Sequence, residues 1–304
     1  MARRNCEPHK HAVESDADNA VKQNKINLKA MNAKITLSIV SLFAVVSLTA
    51  RAQDSLNASD NEGNYTAWPT NLNGGTGFGN WSYNNTGGNN PPYVGEFAGN
   101  SAGDGIGQTY NINSANGNAW GFYANQGAGG GLASVVRPFT GALGAYQTFG
   151  IAMENGYVAT GATNGFSLQD GSGNLFSFYF VGGLNDYFIN VGGSQYNTGI
   201  TFTDNGLGVA FTQGLGDAWS LTVTTNGATP GSFNFSSTST GLMLANNDIS
   251  QVNMFNAEGT SNGGAGSSNY DLFFNNIQIV PEPSSLALMG IAGLATLVII
   301  RRRK

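Results

Sequence analysis

Residues 175–181 read LFSFYFV and residues 218–225 read AWSLTVTT, and these two stretches decide the fold class. In the first, three phenylalanines occupy alternate positions, and the residues between them are also mostly apolar, which predicts a central strand buried on both faces. In the second, Trp219, Leu221 and Val223 alternate with serine and threonine, which predicts a strand with one packed face and one wet face.

Further short segments with period two occur along the exported part of the chain, and no stretch between residues 53 and 280 keeps a period of 3.6 residues. Turn signals such as Asp-Gly and Asn-Gly separate these segments and supply the positive φ angles that hairpins need. The pattern predicts an all-β fold, an antiparallel two-sheet sandwich of the jelly-roll type. The predicted strands cover residues 93–98, 120–122, 132–139, 147–154, 187–191, 207–211, 249–255 and 270–279.

The two ends of the chain carry targeting features. An apolar run over residues 35–48 follows Lys34 and precedes Ala50-Arg51-Ala52, the pattern of a signal peptide with its cleavage site. Residues 31–52 are therefore predicted to be a signal peptide, and residues 1–30 to be either a disordered extension or a misassigned start. The exported domain then covers residues 53–280, of which 53–92 is either an irregular part of the sheet or a loosely ordered lead-in.

The C-terminal tail, residues 281–304, has three parts. Pro281, Glu282 and Pro283 precede an uncharged apolar run over residues 286–300, and four basic residues end the chain. The proline residues mark the start of a single transmembrane helix, and the basic end favours the cytoplasmic side of the membrane.

This tail resembles the PEP-CTERM sorting signal of bacteria, which a membrane peptidase called exosortase reads. The resemblance implies export through the Sec translocon, an intermediate anchored in the inner membrane, and delivery to the cell surface or extracellular matrix. The order of strands over residues 93–279 also resembles the jelly-roll, concanavalin-like sandwiches that often precede such tails. Concanavalin-like domains often hold a structural Ca²⁺, and apart from that ion no cofactor is predicted. An exopolysaccharide is the candidate ligand, because the domain has many Trp and Tyr residues beside Asn and Gly.

The net charge of the exported domain argues against binding to nucleic acid. Between residues 53 and 280 there are thirteen acidic residues and one basic residue, Arg137, which gives a net charge of −12. Such a domain repels phosphate backbones, so nucleic acid is not a predicted partner. Because one cation stands among many carboxylates, Arg137 is predicted to form a structural ion pair.

The residue types that the exported domain lacks limit the catalytic mechanisms open to it. The exported domain has no His, Cys or Lys, which removes the Ser-His and Cys-His nucleophiles and the usual zinc ligands. The chain is therefore predicted not to be an enzyme, and to have a structural or interaction role at the cell surface. The alternative is a secreted glycan-active hydrolase with a carboxylate pair, for which Glu96, Glu154 and Glu258 are the candidates, with Glu154 expected at a solvated hairpin.

Binding residues follow from composition. Trp68, Trp81 and Tyr83 lie in a polar segment, where exposed rings would suit sugar contact. Loops rich in Asp, Asn and Gly offer oxygen ligands, so weak calcium candidates are Asp170, Asp204 and Asp248, with ordinary Asx turns as the alternative.

Overall fold

A computed structural model describes residues 57–68, 72–87, 94–103, 110–124, 131–258 and 270–281. The described residues form sixteen β-strands, two 3-10 turns (Glu62–Asn64 and Ser101–Gly103) and one short helix, α1 (Ser237–Thr240). In chain order the strands are β1 (Ala58–Asp60), β2 (Ser82–Tyr83), β3 (Thr86–Gly87), β4 (Val94–Gly99), β5 (Ala119–Ala124), β6 (Gly131–Pro138), β7 (Gln147–Asn155), β8 (Thr163–Gln169), β9 (Asn174–Val181), β10 (Asp186–Val191), β11 (Ser194–Thr201), β12 (Leu207–Gln213), β13 (Trp219–Thr225), β14 (Gly231–Ser236), β15 (Gln251–Glu258) and β16 (Leu272–Pro281).

The strands form two antiparallel sheets, as the alternating patterns predict. Sheet 1 has the order β14-β13-β12-β7-β16-β5-β4, and β1 pairs with β16 beside β5. Sheet 2 has the order β11-β10-β9-β8-β15-β6-β2, and β3 also pairs with β6. The predicted all-β, two-sheet sandwich is confirmed.

The core lies between the two sheets and is rich in aromatic side chains. Phe176 of β9 packs against Phe211 of β12 with ring centroids 4.7 Å apart, and Phe149 of β7 faces Phe166 of β8 at 5.9 Å. Each pair joins one sheet to the other, so inward rows of aromatic residues from both sheets meet in the core.

The two stretches that decide the fold take their predicted places. Strand β9 lies inside sheet 2, between β8 and β10, as its two apolar faces predict. In β13, Trp219, Leu221 and Val223 are buried, whereas Ser220 and Thr224 are exposed.

Several elements have no counterpart in the sequence prediction. Strands β8, β11 and β14 were not predicted, because glycine and polar residues interrupt their apolar pattern. Helix α1 was also missed; it is a single turn, fixed by a capping box between Ser236 and Ser239 and by Gly241 with a positive φ.

The described residues before β4, 57–68 and 72–87, belong to the sandwich. Strand β1 pairs with β16 over Ala58–Asp60, and Trp81 is 1 % exposed within the core. The signal peptide, the N-terminal extension and the tail beyond Pro281 lie outside the described residues, and they stay predictions. Among the described residues, no helix combines the length and the apolar character that a bilayer crossing requires.

Candidate functional site

Arg137 ties two described segments, residues 57–68 and 72–87, to strand β6. It points inward from β6, is fully buried, and its Nη2 atom lies 2.6 Å from Oδ2 of Asp60 in an ion pair. The same guanidinium donates to Oδ1 of Asn73 at 2.5 Å and to the Leu72 carbonyl at 3.3 Å. The predicted structural ion pair is confirmed, and it joins the lead-in to the core.

Aromatic rings complete the surroundings of Arg137. Its guanidinium carbon lies 4.5 Å from the Trp81 ring centroid, and Trp81 packs edge-on against Trp120 at 4.8 Å. Burial lowers the pKa of Arg137, and the nearby tyrosine and carboxylate partly oppose this. Burial, followed by the hydrogen bond to Asp60, raises the pKa of Tyr65. The cluster is closed and rigid, so we assign it to stability.

The three aromatic sugar-contact candidates differ in exposure. Trp81 is buried beside Arg137, so its expected exposure is wrong; the cation and Trp120 occupy both sides of its ring. Trp68 and Tyr83 are partly exposed and lie 6.2 Å apart between ring centroids, and Trp68 also packs on Phe122. Sugar contact by Trp68 and Tyr83 stays a prediction.

The carboxylate candidates are not equivalent. Glu154 is 1 % exposed within β7, so the expected solvated hairpin position is wrong: β7 continues to Asn155, and Glu154 lies opposite Phe273 of β16. Glu96 lies half-buried on β4, opposite Phe122. Burial raises the pKa of Glu96, and a hydrogen bond with the Asn85 side chain partly opposes this. The side chain of Glu258 lies outside what the structure describes.

We expect Glu96→Gln to make the protein more stable at neutral pH and to have little effect well below pH 4.5, the ordinary pKa of this carboxyl. The folded chain holds this proton more tightly than the unfolded chain, so the free energy of unfolding of the parent falls as pH rises from 4.5 through the raised pKa. Glutamine carries no charge, so this loss disappears. Thermal unfolding temperatures measured over a pH series test this.

The control for Glu96 is Asn85→Ala, which removes the bond that holds the pKa down and should steepen the loss of stability with pH. Parallel pH profiles for the parent and Glu96→Gln would contradict the assignment.

The calcium candidates lie at opposite ends of the sandwich. Asp170 is in the β8–β9 turn, where hydrogen bonds from Asn246, Ser172 and Gly173 hold its pKa well below the usual value. Asp248 lies two residues after Asn246, whereas Asp204 is in the β11–β12 turn and accepts from its neighbour Asn205. Among the described residues, no three His, Cys, Asp or Glu side chains are grouped to hold a metal. Structural calcium at these residues stays a prediction.

The outer face of sheet 1 carries a groove of about 260 Å³. Its floor is a block of four small residues on neighbouring strands: Gly150 and Ala152 of β7 lie directly opposite Ala210 and Gly208 of β12. The inward positions of these strands hold large apolar residues, whereas the outward positions at the groove hold only glycine and alanine. The groove follows directly from this alternation.

Polar side chains form the two sides of the groove. Thr222 and Thr224 of β13 stand beside Ala210 and Gly208, and on the far side Gln278 and Asn276 of β16 project beside β7. Asn276 has φ of 51° at a bulge in β16, which shifts the register between Asn275 and Gln278. The groove crosses four strands, a distance of ~14 Å at the usual strand spacing.

The part of this outer face near β4 and β5 is covered. Ile112, in the segment before β5, is buried with Ala119 and Phe273, and Phe97 of β4 packs against Phe273 at 5.4 Å. The side chain of Asn275 fixes this segment, since its Nδ2 donates to the Ile112 carbonyl at 2.8 Å. The groove therefore borders a packed region on the β5 side, whereas outward residues such as Ser220 and Asn234 on the β13–β14 side are exposed.

Sequence reasoning missed all the groove residues. A signal for them exists, because the outward positions of two predicted strands read Thr-Gly-Ala (148, 150, 152) and Gly-Ala-Thr (208, 210, 212). Small residues carry no chemistry of their own, so the signal has meaning only when the two strands are known to be neighbours.

The comparison with protein families concerns the tail. Residues 280–304 match the PEP-CTERM protein-sorting motif. The motif indicates an exported protein that is processed by exosortase, a membrane protein, and this confirms the resemblance drawn from Pro281, Glu282 and Pro283. No curated protein matches the chain.

Several solved structures resemble the sandwich at low identity. The T. cruzi calreticulin globular domain is 8 % identical, with a TM-score of 0.41, over 74 % of this chain and 95 % of its own. An endo-β-1,4-glucuronan lyase from Trichoderma reesei is 10 % identical, with a TM-score of 0.38, over 66 % and 94 %. The catalytic domain of a glycoside hydrolase family 131 protein from Coprinopsis cinerea is 11 % identical, with a TM-score of 0.36, over 51 % and 71 %.

The prediction that the chain is not an enzyme is wrong, because these structural neighbours include glycoside hydrolases and lyases. Its physical basis was too narrow: the lack of His, Cys and Lys removes particular nucleophiles and bases, whereas glycosidases work with carboxylates, which this domain has in number. The likeness assigns no activity, substrate or ligand to this chain.

Proposed function

We propose that the exported sandwich binds an uncharged polysaccharide of the cell surface or extracellular matrix along the groove of sheet 1. One observation carries the proposal: a floor of glycine and alanine lies between threonine hydroxyls on one side and the Asn276 and Gln278 side chains on the other. The Thr222 and Thr224 hydroxyls donate to Asn234 Oδ1 and to the Gly208 carbonyl, so they offer acceptor lone pairs to a ligand. The side-chain amides of Asn276 and Gln278 can both donate and accept, and the combination suits the hydroxyl groups of a sugar chain.

Charge supports the choice of an uncharged polymer. The exported domain has a net charge of −12, and its one cation, Arg137, is fully buried in an ion pair. An anionic polysaccharide would find no cation on the surface of the domain and would be repelled by its carboxylates. A neutral chain meets neither obstacle.

The signal peptide and the C-terminal tail would bring the exported domain to that polymer. The signal peptide, residues 31–52, directs the chain to the Sec translocon, and the tail holds the exported domain at the inner membrane until exosortase processes it. The protein then reaches the cell surface or the matrix. The sorting motif at residues 280–304 supports this route.

We expect Ala210→Trp to abolish polysaccharide binding, because an indole at the centre of the groove floor would fill the ~260 Å³ space. Ala210 is only partly buried and points outward, so the larger side chain has room and the fold is retained. A glycan array with the purified full-length chain identifies the neutral ligand, and calorimetry on that ligand measures the loss.

The matched control is Gln195→Trp, which adds the same indole to the exposed β11 of sheet 2. It should bind like the parent. Equal binding by Ala210→Trp and the parent, or binding of acidic glycans alone, would contradict the proposal.

A further inference from the structure

The sorting motif begins inside the folded sandwich. Strand β16 continues through Val280 to Pro281, and Pro281 still pairs with Gln147 at the start of β7. Glu282 and Pro283 follow at once, so no spacer separates the motif from the domain. Any enzyme that reads these three residues must also approach the surface from which they emerge.

That surface carries exposed apolar side chains from three other loops. Val280 is 38 % exposed, Tyr146 44 %, Leu215 66 % and Met243 53 %. We call these four residues the exit surface.

Backbone contacts place the exit surface at one end of the sandwich. Tyr146 precedes Gln147, the partner of Pro281, and its N–H donates to the Gln213 carbonyl at 2.7 Å. The turn after Gln213 contains Leu215. In the same turn the carbonyl of Asp217 accepts from Leu244 at 3.1 Å, next to Met243. A continuous chain of contacts therefore runs from the exit of the motif to all three loops.

The conformation of Tyr146 adds an independent indication. It has φ of 64°, in the left-handed region that favours glycine. A bulky residue in this region is uncommon and costs conformational energy, and such positions concentrate at functional sites. Here the strained residue is also an exposed aromatic ring beside the exit of the motif, which packing within the domain does not require.

We propose that the exit surface is a docking site for the exported face of exosortase, so that the peptidase recognises the folded domain together with the tail. The length of the chain beyond the domain supports this partner. Residues 281–285 span at most ~16 Å when extended, and the apolar run starts at residue 286. A peptidase that reads the motif has to work in this gap, in contact with both the membrane and the exit surface.

Charge argues against the bilayer itself as the occupant. The domain has no exposed cation between residues 53 and 280, and Asp217 lies exposed beside Leu215, so anionic headgroups would repel this end. An apolar protein face has no such cost, and burying large apolar side chains stabilises the contact. The inference rests on the sorting motif and is independent of the proposed polysaccharide.

A photo-crosslinking amino acid at position 215 or 243 of the full chain tests the proposal, in cells that export it and contain exosortase. We expect crosslinks to exosortase, identified by mass spectrometry, from both positions. The matched controls are positions 157 and 184, which are 49 % and 48 % exposed at the opposite end of the domain and should give none. Equal capture from both ends, crosslinks to lipid alone, or no crosslink to exosortase would overturn the proposal.

A second measurement is the rate of tail removal. We expect Leu215→Ser combined with Met243→Ser to slow it about tenfold, which corresponds to roughly 1.4 kcal/mol of lost contact. Tyr157→Ser combined with Leu184→Ser should leave the rate unchanged. An unchanged rate in the first double variant would refute the docking site, and unfolding curves of both variants show that the fold is kept.

Discussion

Replacing Arg137 with Met is expected to lower the free energy of unfolding by about 3–5 kcal/mol, the usual loss when one partner of a buried ion pair is removed. Methionine replaces the aliphatic stem of arginine but carries no charge, so Asp60 would stay buried without its cation. The carbonyl of Leu72 and Oδ1 of Asn73 would each lose their bond from the guanidinium and keep only a longer bond from a backbone N–H, that of Trp81 and Gly75 respectively. Urea unfolding of the purified protein measures the change.

Two further variants separate charge from shape at Arg137. Arg137→Lys keeps the charge but loses the planar group that faces Trp81 and the fork that reaches Asn73, so we expect an intermediate loss. Arg137→Met combined with Asp60→Asn removes both charges and should lose less than the sum of the single changes. Full additivity, or a loss below about 1 kcal/mol for Arg137→Met, would show that the pair contributes little.

Phe178→Ala is expected to cost about 3–5 kcal/mol, the usual range when a buried aromatic side chain is truncated in a core. Phe178 is fully buried on the inward face of β9, its ring stacks on Tyr187 at 5.3 Å, and it also faces Phe166. The cavity left by alanine would lie in the core against the inner face of sheet 2, and β9 cannot move to fill it because it is paired on both sides. Chemical denaturation gives the loss.

The neighbouring residue on β9 provides the control for Phe178. Tyr179 points to the opposite face, is partly exposed and bonds to the side chain of Gln195. We expect Tyr179→Ala to cost much less, about 1 kcal/mol. Similar losses for the two variants would mean that the inside and outside of β9 are not as described.

The sequence predicted those features that depend on neighbours along one strand. Alternation identified the inward residues of β13, and two apolar faces placed β9 inside its sheet. The ion pair of Arg137 could also be predicted, although not its partner, because a lone cation among many carboxylates has few other ways to be buried.

Features that depend on pairing between distant segments could not be predicted. Trp81 lies in a polar stretch, and only its contacts with Arg137 and Trp120 make it a core residue. Glu154 precedes an Asn-Gly pair that signals a turn, yet β16 extends the pairing of β7 through it. The groove likewise exists only because β7 and β12 are neighbours, although 51 residues separate the ends of these strands.

The position of β16 in sheet 1 sets the order in which the protein acquires its structure. Strand β16 is the last of the described strands in the sequence, yet it lies between β7 and β5 in the sheet and also pairs with β1. Without it, sheet 1 would separate into the β14-β13-β12-β7 block and the β5-β4 pair, and β1 would lose the strand it pairs with. We expect a polypeptide that leaves the cytosol amino end first to remain incomplete until almost all of it has crossed the membrane, so that sheet 1 is completed only after passage.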